Sequence, residues 1–100
     1  MERIGVKYKK LAARAAVPEY ETRGAAGCDI CLTNQEEIVL YPNEVRSLST
    51  GLAIMIPPGF EGQIRSRAGM AGKGIIVANA PATIDPDHNG EIKVMLLNVT

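Results

Sequence analysis

Tryptophan is missing from this sequence, and with three tyrosines and one phenylalanine the aromatics make up only 4% of its 100 residues. The core must therefore be assembled from Val, Ile, Leu, Met and Ala, which the 46% hydrophobic content permits. Net charge is lacking as well, since eleven Lys and Arg offset eleven Asp and Glu. That balance excludes a protein that holds nucleic acid or a membrane through a broad positive field, while leaving room for a local phosphate site. Cysteine is scarce. Cys28 and Cys31 are too few for a disulfide framework, no second pair is present for zinc, and a CxxC in an apolar, strand-like run lacks the helix start of a redox site. Both are expected as small buried hydrophobes in a reducing compartment. The start, from Met1 to Lys7, contains no apolar run long enough for a signal peptide or a membrane span, so a cytoplasmic protein is expected. The tripeptide Asn98-Val99-Thr100 matches a glycosylation acceptor, but such matches arise by chance and nothing else suggests secretion.

What is present reads as one all-β domain, residues 1–100, of a length that supports one modest core. Ile4, Val6 and Tyr8 alternate with polar or small residues, the period of a first strand. Short strands are predicted at Cys28 to Leu32 and at Glu37 to Leu40, the latter ended by the turn residues Pro42 and Asn43. Leu52, Ile54 and Ile56 alternate up to Pro57-Pro58-Gly59, and the chain resumes in extended form at Gln63 to Ser66, which predicts a hairpin. Gly74 to Val77 and Glu91 to Val99 predict buried strands. The alanine-rich run from Leu11 to Ala16 is stopped by Pro18 and predicts at most a single helical turn. Strands this short and this numerous indicate a sandwich, jelly roll or barrel.

Three polar, glycine-rich segments break that pattern: Gly24 to Asp29, Arg65 to Lys73, and Asn79 to Gly90. Loops on a rigid sheet are where binding groups concentrate, although each segment alone is equally well a turn. Taken together, Gly24-Ala25-Ala26-Gly27-Cys28-Asp29-Ile30, Thr50-Gly51-Leu52 with Ile56-Pro57-Pro58-Gly59-Phe60, Arg67-Ala68-Gly69-Met70-Ala71, and Asn79-Ala80-Pro81-Ala82-Thr83-Ile84-Asp85-Pro86-Asp87-His88-Asn89-Gly90-Glu91 resemble the dUTP diphosphatase family. The match runs from about Pro18 to Asn98, and several motifs in order are far more specific than one glycine loop.

The resemblance implies a homotrimer of subunits folded as a jelly-roll-like distorted barrel, with active sites at the subunit interfaces. It implies Mg2+ as cofactor and dUTP as substrate, with no nucleic acid or membrane as partner. The reaction would be water attack at the α-phosphorus to give dUMP and pyrophosphate, limiting uracil incorporation into DNA. Asp29 corresponds to the family's acidic residue near the metal, acting through water. Magnesium retains several waters, so one carboxylate plus phosphates suffices. Arg67 and Gly69 stand where the family contacts phosphates, one by charge and one by close backbone approach. Ala68 departs from the family's usual serine, whose hydroxyl bonds a phosphate oxygen, and so predicts a slower enzyme. Asp85 corresponds to the catalytic aspartate, Ile84 beside it to a substrate-contacting position, and Asn79 to the residue reading the uracil edge in a narrow hairpin pocket. His88 replaces the usual tyrosine packed on the deoxyribose, which predicts weaker rejection of UTP. Read alone, Asp29, Asp85 and His88 are ordinary turn residues, and Asp85, Asp87 and His88 lie too close together for a metal site.

The resemblance stops at Thr100, where the family continues with a fourth motif and a glycine-rich fifth that closes over the nucleotide. Ala68, His88 and those missing motifs leave open a catalytically weak nucleotide-binding or scaffolding homologue. The related dCTP deaminase shares the fold, but Glu91 follows Gly90 as in diphosphatases and no serine-rich arginine motif surrounds Arg67.

Overall fold

The computed structural model describes residues 3–100, so the first two positions of the expected cytoplasmic N-terminus lie outside the described residues. The described residues form seven short strands and one helical turn: β1 (Lys7–Lys10), β2 (Val45–Ser49), β3 (Leu52–Met55), β4 (Gly62–Ile64), α1 (Ala68–Gly72), β5 (Ile75–Val77), β6 (Ala82–Ile84) and β7 (Lys93–Asn98). They make three antiparallel sheets, ordered β1-β3, β2-β7-β5 and β4-β6, and no closed barrel forms among the described residues. The all-β reading holds.

The chain changes sheets at Thr50 and Gly51, between β2 and β3. Gly51 has φ +67°, a left-handed conformation, and a Cβ there would lie 2.9 Å from Thr33 Cγ2 and 3.0 Å from Ala15 Cβ. Only glycine fits so tight a corner without displacement. Thr50 beside it is fully buried, with its hydroxyl bonded to the Ile92 carbonyl at 2.6 Å. Ile92 in turn donates its N–H to the Leu52 carbonyl at 2.8 Å, which joins the residue before β7 to the β1-β3 sheet.

The core is aliphatic, as the lack of aromatics requires. Leu48, Leu52, Ile56, Val77, Ile84, Ile92 and Val94 are buried, with Ile56, Ile84 and Ile92 forming one cluster against Ile30, Ile54 and Ile64. The sheets do not close fully on one another. The radius of gyration is 14.1 Å, against about 13 Å for a compact domain of this length, and an open cavity of about 710 Å³ lies between the layers.

Several expected elements are corrected. The segments at Cys28 to Leu32 and Glu37 to Leu40 are not strands, and the first contributes only an isolated bridge between Asp29 and Glu19. With no ladder to fold it inward, Cys28 and Cys31 are exposed rather than buried, and both are free. β3 and β4 do not form a hairpin, because β3 pairs with β1 and β4 with β6. The alternation at Ile4, Val6 and Tyr8 does mark one face, but that face borders the open cavity and stays about half exposed. The alanine-rich run forms the single turn expected of it, with Ala15 donating to Ala12. Strands β2 and β6 and the helical turn α1 arise where none was predicted.

Candidate functional site

The second glycine-rich segment folds into α1 directly after β4. Arg67 is its N-cap in an extended conformation, and the first intrahelical bond runs from the Ala71 amide to the Arg67 carbonyl at 2.9 Å. The amides of Ala68, Gly69 and Met70 therefore have no acceptor within the helix, as at any helix start. Ala68 and Gly69 are exposed, and a Cβ at Gly69 would touch nothing within 4 Å. The packing of this chain does not demand glycine there. The open space in front of that backbone is room for a ligand.

Arg67 reaches back to the first segment, its Nε 3.7 Å from Asp29 Oδ1, with the two side chains 64% and 37% exposed. At that distance and exposure the pair contributes little to stability. A guanidinium held so loosely can turn to a phosphate, leaving the carboxylate free for a second cation. Both residues line the open cavity together with Ser66 and the apolar Ile30, Ile64 and Ile84. Ser66 Oγ accepts the Val77 amide at 2.9 Å, which fastens the residue before Arg67 to β5.

The third segment begins at the end of β5. Asn79 is exposed in a turn in which the Ala80 amide donates to the Val77 carbonyl at 3.2 Å, and a cis Ala80–Pro81 bond follows. The expected hairpin pocket is instead a turn between strands of different sheets, since β5 pairs with β7 and β6 with β4. Ile84 ends β6 with its side chain in the core cluster, so a ligand would meet it through backbone or cavity wall. Asp85 follows immediately and is exposed, its carbonyl accepting the His88 amide at 3.0 Å. Residues 85–90 are exposed throughout. Within one chain the structure brings Asp29, Arg67 and Ile84 to a common cavity, whereas Asp85, Asn79 and His88 lie outside its lining.

Among the described residues no cluster of three or more His, Cys, Asp or Glu side chains is placed to hold a metal. The carboxylate of Asp29 fits a hard cation that takes most of its oxygens from phosphate and water, and without a cluster of further ligands it does not fit an all-protein cage. The sequence did not single out Ser66, and it marked Glu91 only as the end of a motif and not as an anchor, because their partners, Val77 for the one and Ser49 and Gly51 for the other, are 11 and about 40 residues away.

A family model described as dUTPase matches residues 13–100. The chain belongs to the dUTPase family. A deoxyuridine 5′-triphosphate nucleotidohydrolase of Rickettsia felis is 48% identical over 96 residues, covering 94% of this chain and 65% of the relative. That of Rickettsia prowazekii is 47% identical over 98 residues, covering 96% of this chain and 66% of the relative. The chain thus spans just under two thirds of the length of these relatives. Among solved structures, a mutant dUTPase from phage phi11 of S. aureus superposes with a TM-score of 0.86 at 28% identity, covering 97% of this chain and 61% of that one. That phage structure is described as revealing the coordination of a structural Mg(II) ion. Likeness of this degree over nearly the whole chain identifies the three partly opened sheets as the jelly-roll-like dUTPase fold.

Proposed function

We propose that this chain forms the body of an enzyme that hydrolyses dUTP to dUMP and pyrophosphate. The observation that carries the reading is the loose Arg67–Asp29 pair in a dUTPase-family chain, a cation and a carboxylate 3.7 Å apart at the exposed start of α1. Arg67 and the free amides of Ala68 and Gly69 suit phosphate oxygens, and donors aimed at the leaving group stabilise the charge that develops there. Asp29 would hold Mg2+ through water, and the ion when bound neutralises phosphate charge. Asp85 takes a proton from the attacking water. The water oxygen bonds to the α-phosphorus while the bond from that phosphorus to the bridging oxygen breaks, and pyrophosphate departs. Asn79 pairs with the uracil edge, and His88 lies against the sugar.

Asp85 and Asn79 lie outside the cavity that Arg67 and Asp29 line in one chain, which supports a site completed between copies in a homotrimer. Free, exposed cysteines accord with a reducing cytoplasm, and no helix among the described residues is long and apolar enough to cross a membrane.

The test is pyrophosphate release from a panel of deoxynucleoside triphosphates by the full-length chain, with Asp85→Asn beside it. Turnover of dUTP that falls by at least a hundredfold in Asp85→Asn is expected, with an unchanged melting temperature because the side chain is exposed. No pyrophosphate from dUTP, or equal rates for the two proteins, refutes the assignment.

A further inference from the structure

The loop carrying Asp85 has little packing of its own. Residues 85–90 are exposed, and the bond of the His88 amide to the Asp85 carbonyl closes only a local turn. At its entry the loop is held by Ile84, which is buried against Ile56 and Ile92. At its exit stands Glu91, whose carboxylate crosses to the corner between β2 and β3. One oxygen accepts the Gly51 amide at 2.9 Å and the other accepts the Ser49 hydroxyl at 3.4 Å. The next residue locks the same corner a second time, since the Ile92 amide donates to Leu52 at 2.8 Å and its carbonyl accepts the buried Thr50 hydroxyl at 2.6 Å. Glu91 itself is partly buried, and no ion pair engages it among the described residues. Its carboxylate serves as a two-pronged acceptor for backbone and hydroxyl.

We propose that Glu91 is a positioning residue for catalysis, fixing the return end of the Asp85 loop to the Ser49–Gly51 corner so that Asp85 is held between two anchored points. The inference rests on the reading of Asp85 as the base. Glu91 acts only through the loop. Misplacing a catalytic group by about 1 Å costs on the order of a hundredfold in rate, so a loosened anchor should lower kcat far more than it raises KM.

Reach and charge can be separated by substitution. In Glu91→Gln the amide oxygen can still accept from Gly51 while the amide nitrogen donates to Ser49, so both contacts survive without the charge. Glu91→Asp keeps the charge but, one methylene shorter, cannot span both partners. In the full-length chain, Glu91→Gln is expected within about threefold of wild type for dUTP turnover. Glu91→Asp is expected to lose about tenfold to a hundredfold in kcat with KM moved less than about threefold. The opposite order, with Glu91→Asp active and Glu91→Gln impaired, makes charge the operative property and overturns the proposal. Amide hydrogen exchange over residues 85–90 supplies a readout independent of turnover: faster exchange in Glu91→Asp than in wild type or Glu91→Gln is expected. Equal exchange in all three proteins refutes the anchor even if wild type proves inactive on dUTP. An inactive wild type whose exchange shows the expected difference overturns the hydrolase reading alone and leaves the anchor standing.

Discussion

Replacing Thr50 by valine removes a hydroxyl from the fully buried point where the chain passes from β2 to β3, and changes almost nothing in shape. That hydroxyl donates to the Ile92 carbonyl at 2.6 Å and accepts the Leu52 amide at 3.2 Å. Leu52 is 0% exposed and Ile92 2%, so water has poor access to either group once the hydroxyl is gone. A buried backbone group stranded in this way costs about 1–3 kcal/mol. With two of them affected in one network, where losses do not add fully, Thr50→Val is expected to destabilise by about 2–4 kcal/mol. At about 4–8 °C per kcal/mol for a domain of this size, the melting midpoint should fall by roughly 10–30 °C. Thr50→Ser keeps the hydroxyl and deletes one methyl, for about 1 kcal/mol. Urea unfolding followed by circular dichroism, with the slope m checked for constancy, measures both variants. If valine costs less than about 0.5 kcal/mol, or no more than serine, the corner is held by packing alone and the hydrogen-bond argument is wrong.

The remaining predictions concern the site and its frame. Ala68→Ser restores a hydroxyl at the exposed start of α1 and should raise kcat on dUTP by about one to two powers of ten, the worth of one hydrogen bond of about 1.5–3 kcal/mol to a charged acceptor; an unchanged rate would mean that no phosphate oxygen comes within reach of position 68. His88→Tyr should increase the preference for dUTP over UTP by about tenfold, read as the ratio of kcat/KM values, and an unaltered ratio would remove His88 from the sugar. Gly51→Ala and Gly59→Ala both place a side chain on a left-handed residue, at φ +67° and +89°, but only the first meets neighbours, at 2.9 and 3.0 Å. The first should cost about 1–3 kcal/mol more than the second in a urea titration, and equal losses would show that the Thr33 and Ala15 contacts relax freely.

How far the sequence revealed this fold depends on whether a feature is local. Alternation marked β3, and the β-branched run from Gly74 marked β5, because side-chain period is a property of a few adjacent residues. Pairing is not. Pro57-Pro58-Gly59 reads as the tip of a hairpin, yet the strands on either side of it belong to different sheets, and each partner is set by distant β1 or β6. Strand β2 was invisible because its sequence, Val45 to Ser49, is mostly polar and exposed; it is held by five residue pairs with β7, nearly fifty positions away. The cysteines failed for a related reason. An apolar run buries its side chains only when a ladder turns one face inward, and the Asp29 region has a single bridge.

Site residues and scaffold are written into a sequence differently, and the difference is physical. A triphosphate site, where there is one, would constrain the identity of individual residues, since a guanidinium, an approachable backbone and a carboxylate have few substitutes, whereas a buried position accepts Val, Ile or Leu with small loss. Arg67 and Asp29 belong to motifs 38 residues apart, and the fold brings them within 3.7 Å, while Asn79, Asp85 and His88 lie outside the cavity that those two line. Sequence could not disclose what holds such residues in place. Ser66 is anonymous until its hydroxyl is seen on the Val77 amide, and Glu91 is only the end of a motif until its carboxylate is seen on Gly51. Those anchors work through backbone groups, which carry no identity in the sequence. A polar side chain of suitable length can meet them, so an anchoring role follows from pairings between distant segments that no local motif spells out.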